Sequence, residues 1–337
     1  MKALFNTLRG IGHQPVLLQD QVLVLPLGGR ILGLAPDHRT NTLWTHAALQ
    51  TESGARHFSD AALWLNFGGD RAWIAPEVET NFRYPRNAEP VYEVPKSIDP
   101  GQYRVNAQDA HAVRLSAAMT VRFNRRQAEV RLLMERTVTC LPESPLAVPA
   151  DVQFAGYWLQ STLSAAGPIP DGIRPGLWHI LQVPGHGKIV VPVRPDAQPR
   201  TFIGTPACEL AGRRLTCNVV TSKSFKFSIR ADDCLGFMLY INTIKRPATL
   251  VARRFAVHDR AGYADEPYDD PADIGHVQQV YVDDGALGGF GEMEYHTPAL
   301  ASQGPATLTD TSETWGFTGS AEHLTDLAEQ LLARFGG

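Results

Sequence analysis

Ala128-Glu129-Val130-Arg131-Leu132-Leu133-Met134-Glu135-Arg136-Thr137-Val138-Thr139-Cys140 is the stretch whose reading decides the fold class. Val130, Leu132, Met134, Val138 and Cys140 fall on one face, with Arg131, Glu135, Thr137 and Thr139 mostly on the other. Side chains of a strand point alternately to its two faces, so a period of two predicts a strand with one face in a core. The same pattern recurs at 112–123, 152–163, 188–193, 224–229, 236–244, 250–257, 277–282, 291–296 and 313–317. Segments 22–26 and 30–35 flank Leu27-Gly28-Gly29 as a hairpin would. With 29 glycines and 24 prolines as punctuation and few helical windows between the runs, the chain reads as all-β. The implied architecture is a large, mostly antiparallel sandwich rather than alternating βαβ units.

The exception is the C-terminus, where Ser320 can cap a short helix over about 320–335. Its Leu324, Leu327, Leu331 and Phe335 recur at helical spacing. Strands continue in one style on both sides of the proline-rich turns at 142–149 and 168–175, so residues 1–337 read as a single domain. At 337 residues, 44% apolar and 20% charged, the chain can bury a large core. The acidic stretch 265–273 reads as a solvated loop.

A net charge of −4 with scattered basic residues gives no footprint for nucleic acid. Cys140, Cys208, Cys217 and Cys234 lie far apart without a C-x-x-C pair, which argues for buried thiols. No segment approaches the roughly 20 apolar residues of a membrane span, and residues 1–16 lack the apolar run of a secretory signal. The expectation is a soluble, cytoplasmic protein without a membrane partner. No Gly-x-Gly-x-x-Gly, Gly-x-x-x-x-Gly-Lys-Ser/Thr, Gly-x-Ser-x-Gly or His-Glu-x-x-His occurs, so no nucleotide cofactor is indicated.

Three segments carry candidate chemistry. In Gly68-Gly69-Asp70-Arg71-Ala72-Trp73, followed by Pro76-Glu77, two glycines permit a close backbone approach, while Asp70, Arg71 and Trp73 can grip a polar ring. In Gly291-Glu292-Met293-Glu294-Tyr295-His296, an extended strand puts Glu292, Glu294 and His296 on one face. Such a cluster suits acid–base work, or a metal held by oxygen and nitrogen, or simply a wet strand face. In the segment 175–185, Trp178 can stack on a sugar while His179 and Gln182 bond its hydroxyls. Lys226, between Phe225 and Phe227, is a further candidate inward-facing cation.

Together these segments resemble the galactose mutarotase-like superfamily, and within it a branch carrying a Gly-Gly-Asp-Arg-x-Trp motif followed by Pro-Glu. The resemblance implies a single β-supersandwich that binds a sugar or oligosaccharide and needs no cofactor. It also implies roles by position: Glu294 as the base that takes the anomeric proton, Glu292 as its alternate, His179 as the acid, and Arg71 as a sugar-binding group. Two other readings stay open. One is a glycan lyase or glycoside-processing enzyme using Glu292 and Glu294 as paired carboxylates. The other is a binding protein without turnover, in which Trp73 and Trp178 stack on the sugar.

Overall fold

The computed structural model describes residues 1–60, 64–220, 222–258 and 262–337. These residues form two large antiparallel sheets. In the first, nine strands run in the order Val16–Leu18, Val22–Leu25, Arg30–Leu34, Asp70–Ala75, Gly176–Pro184, Phe290–His296, His276–Val282, Phe225–Arg230 and Arg200–Ile203. The second has ten strands and is built around Ala112–Phe123, Ala128–Cys140, Gln153–Ala165, Thr307–Gly319 and Ala248–Phe255. Most of the segments with a two-residue period are strands within a residue or two of their expected bounds.

The helix Ala321–Phe335 forms where the leucine spacing places it, and the Ser320 side chain accepts a hydrogen bond from the His323 amide. Leu324, Leu327 and Leu331 pack on Phe237, Leu250, Trp315 and Phe317. Val251, next to Leu250, points the other way, into the core between the sheets. Two further helices, Lys2–Gly10 and Glu52–Ser59, were not expected. The first docks Leu4, Phe5 and Leu8, and the second Ala55 and Phe58, against Leu23, Leu25, Leu32 and Phe67.

The cysteine expectation holds for Cys140 and Cys234, which are buried and free, but Cys208 and Cys217 form a disulfide. These two sit directly opposite each other in the hairpin of Cys208–Ala211 and Arg214–Asn218. That juxtaposition depends on the strand pairing and cannot be read from the nine-residue spacing.

The gap in the deciding stretch has a structural reason. Arg136 occupies an inward position among Val130, Leu132, Met134 and Val138 and is fully buried. It belongs to a charge cluster between the sheets. Asp70, from the first sheet, pairs with Arg253 and accepts a 2.6 Å hydrogen bond from the Tyr157 hydroxyl, both on the second sheet. Arg136 lies 3.7 Å away, and its guanidinium also donates to the Gly29 carbonyl. One carboxylate thus joins the sheets at their centre. Removing one partner from a buried ion cluster strands the rest, so Asp70→Asn is expected to lower stability by about 3 to 5 kcal/mol. Urea denaturation checks this, and a loss under about 1 kcal/mol would mean that Asp70 is not the link.

Candidate functional site

Three neighbouring strands of the first sheet set the geometry. Trp178 lies opposite Trp73 on one side and His296 on the other; Ile180 lies between Arg71 and Glu294; Gln182 lies opposite Glu292. Directly opposed residues share a face. Beyond them Glu292 lies opposite Tyr281, which lies opposite Lys226. Arg71, Trp73, Trp178, Gln182, Glu292, Glu294, His296 and Lys226 are therefore on one face, and it is turned away from the second sheet.

His179 and Asp70 are on the opposite face. Asp70 enters the inter-sheet cluster described above. His179, fully buried, stacks on Tyr295 at 4.5 Å and lies 3.5 Å from Asp310, which also accepts a 2.6 Å hydrogen bond from the Tyr295 hydroxyl. Burial, reinforced by the cations of Arg136 and Arg253, holds the His179 imidazole well below its usual pKa. The acid role expected of His179 is thus corrected by position, because strand alternation cannot send both Trp178 and His179 to the same side.

Two chains of charge organise the cleft face. In the first, the Arg71 guanidinium donates to Glu292 at 3.1 Å, and the Gln182 amide donates to the same Glu292 oxygen at 2.8 Å. Arg71 also lies over the Trp73 ring, 4.5 Å from its centroid. Its Nε and Nη1 are buried without a hydrogen-bond partner. In the second chain, the Lys226 ammonium bridges Glu77 at 2.9 Å and Glu294 at 3.1 Å. It sits over Trp178 at 4.4 Å, and the Trp178 indole donates to Glu294 at 2.5 Å. Burial alone would lower the Lys226 pKa, but Glu294 and Glu77 hold it above the ordinary lysine value. Burial pushes Glu294 upward against the pull of Lys226.

These chains border a cavity of about 260 Å³ whose walls include Trp64, Trp73, Trp178, Tyr281 and Phe290. Arg71, Glu77, Lys226 and Glu292 also line it, whereas Glu294 and His296 do not. The Glu292 side chain keeps 8% of its surface exposed and Glu294 none. His296 stacks behind Trp178 at 5.8 Å and lies 3.6 Å from Asp265. Among the described residues no group of three His, Cys, Asp or Glu side chains is placed to hold a metal ion.

Several contributors were not expected from the sequence. The stretch read as a solvated acidic loop begins with two buried residues, Asp265 and Glu266. Asp265 accepts a 2.5 Å hydrogen bond from Gln279, and Glu266 lines the cavity, its carboxyl pushed up to about 7 by burial against the pull of Arg126 and Arg125. Trp64 also reaches the cavity from a segment without a period. The two glycines of the Gly-Gly-Asp-Arg motif make their close approach to the chain itself. At Gly68 and Gly69, φ is +97° and +75°, and a Cβ would collide with the carbonyls of Trp44 and Ile31.

No family model matches the sequence, and no curated protein matches it. Solved structures do match. They include a galactose mutarotase-like protein from Lactobacillus casei ATCC 334, at 8% identity over 90% of this chain and 100% of that one, with a TM-score of 0.53. A candidate aldose 1-epimerase from Escherichia coli K12 aligns at 12% identity over 90% of this chain and 99% of that one, TM-score 0.54. Another, from Klebsiella pneumoniae subsp. pneumoniae MGH 78578, aligns at 13% identity over 95% and 82%, TM-score 0.54. The chain therefore has the galactose mutarotase-like sandwich fold. No helix among the described residues is long and apolar enough to cross a membrane.

The Lys226 bridge gives a test of the cleft's electrostatics. Lys226→Met leaves Glu77 and Glu294 without their shared cation and is expected to cost about 3 to 5 kcal/mol at pH 8. A carboxyl with a raised pKa accepts its proton readily as pH falls, and a neutral Glu294 needs the cation less. The loss measured by urea denaturation should therefore shrink at pH 5, and Lys226→Met/Glu294→Gln should recover part of it at pH 8. A loss independent of pH would contradict this account.

Proposed function

We propose that the cavity binds a carbohydrate and that Glu292 and Lys226 interconvert its anomers in a mutarotase-type reaction. The observation that carries this reading is the meeting of a guanidinium and a carboxylate, Arg71 and Glu292, with indole walls in one cavity. A sugar ring offers both complements, hydroxyl oxygens for the guanidinium and an apolar C–H face for tryptophan. Two of the similar solved structures are described as candidate aldose 1-epimerases, which supports the same class of ligand.

Glu292, rather than Glu294, serves as the base, because it reaches the cavity and is fixed there by Arg71 and Gln182. Its carboxylate takes the proton from the anomeric O1 hydroxyl as the C1–O5 bond breaks and a carbonyl forms at C1. The electron pair of the broken bond goes to O5, which receives a proton from the Lys226 ammonium. An alkoxide is a stronger base than a lysine amine, so Lys226 delivers that proton even with Glu77 and Glu294 holding it tightly. Rotation about C1–C2 and the reverse steps close the ring with O1 on the other side, returning both protons. A positioned acid or base contributes about 10²- to 10⁴-fold.

One observation favours a second reading, binding without turnover: the imidazole expected to act on the ring oxygen, His179, faces the core. Polarimetry with freshly dissolved D-glucose and D-galactose separates the two. On the first reading the protein accelerates interconversion and Glu292→Gln slows it by about 10²-fold or more. Equal rates for Glu292→Gln and the parent chain would overturn it. Sugar binding seen by tryptophan fluorescence with no acceleration over solvent would establish the second.

A further inference from the structure

The sugar cavity has a neighbour. A second space of about 730 Å³ adjoins it and shares three of its wall residues, Trp64, Tyr92 and Leu287. Its own wall includes Leu27, Arg30, Leu65, Lys96 and Asp99. The divide between the two spaces is built rather than incidental. Asp99, 5% exposed, pairs with Arg30 and accepts the indole N–H of Trp64 at 2.9 Å and that of Trp73 at 3.1 Å. One buried carboxylate thus fixes two tryptophans, whose ring centroids are 5.4 Å apart, and Trp73 stands a further 5.4 Å from Trp178. Three indoles run from the floor of the first cavity to the edge of the second.

Two other features of the divide point to a ligand that crosses it. Tyr92 and Leu287 border both spaces and remain 45% and 44% exposed, which leaves apolar surface uncovered where the two spaces meet. The rim beyond is polar and charged: Arg83 pairs with Glu93, and the exposed Lys96 ammonium can donate to a hydroxyl. A single pyranose in the first cavity would leave all of this unused.

We infer that the second space is a sugar subsite continuous with the first, and that the ligand is a glycan of at least two residues whose linkage passes Trp64. The inference rests on the carbohydrate reading of the first cavity and narrows it from sugars in general to glycosides and oligosaccharides. Trp64 and Tyr92 provide the surface on which the second ring lies, and Asp99 acts as a positioning residue through the two indoles.

Calorimetric titration tests it with D-glucose and D-galactose against cellobiose, maltose and lactose. At least one disaccharide should bind about tenfold or more tightly than its constituent monosaccharides. Leu27→Trp, which fills the second space, should abolish that gain and leave monosaccharide affinity unchanged. Lys96→Trp obstructs the same space from an exposed position and serves if the first variant fails to fold. Monosaccharide binding with no gain for any disaccharide, or a gain that survives both variants, would overturn the inference while sparing the first cavity's role. Absence of binding by every sugar would overturn both.

Discussion

Register along three strands governs everything at the cleft. Ile180 lies between Arg71 and Glu294, and from that alignment follow the Trp178 stack and the Gln182–Glu292 bond. A slip of one residue in Gly176–Pro184 would turn Trp178 and Gln182 into the core and bring His179 and Leu181 out. Both faces are buried here, which is why the register is so strongly specified: the inner face must meet the hydrophobic core and the outer face must meet its charge partners.

The same sheet carries charge on both sides. On the inner side Asp70 is matched to Arg253 and Arg136 of the second sheet, and on the outer side Arg71 and Lys226 are matched to Glu292, Glu77 and Glu294. Buried ion pairs add little net stability, since desolvation offsets their attraction, but each is costly to break. Their effect is on geometry. Asp70 fixes how the sheets are aligned, and the outer chains fix where the guanidinium and carboxylate stand before any ligand arrives. A site whose polar groups are already oriented loses less entropy on binding.

Much of this was legible in the sequence, and what was not has identifiable causes. The two-residue period located the strands because one buried face forces it, and Glu292, Glu294 and His296 share a face as their spacing requires. The same rule, applied to Trp178-His179 and to Asp70-Arg71, would have separated those neighbours; reading them as one cluster joined residues that the backbone sends in opposite directions. Arg136 announced itself only as a gap in an apolar row, since nothing local reveals the Asp70 that pairs with it. Glu266, Trp64 and Asp99 come from loops, where no period exists and position is set by what the loop packs on. The disulfide likewise follows from strand pairing that sequence spacing does not encode.

The Cys208–Cys217 crosslink lies at the margin of the ten-stranded sheet, in a hairpin whose Leu210 is 50% exposed. An outermost strand offers unpaired amides and carbonyls to any passing chain, and tethering it to its partner keeps that template from peeling away. Because the bond spans few residues and sits on the sheet opposite the cleft, its reduction loosens a border without reaching the pocket. Opening the bond would leave this margin held to its neighbour by the strand pairing alone.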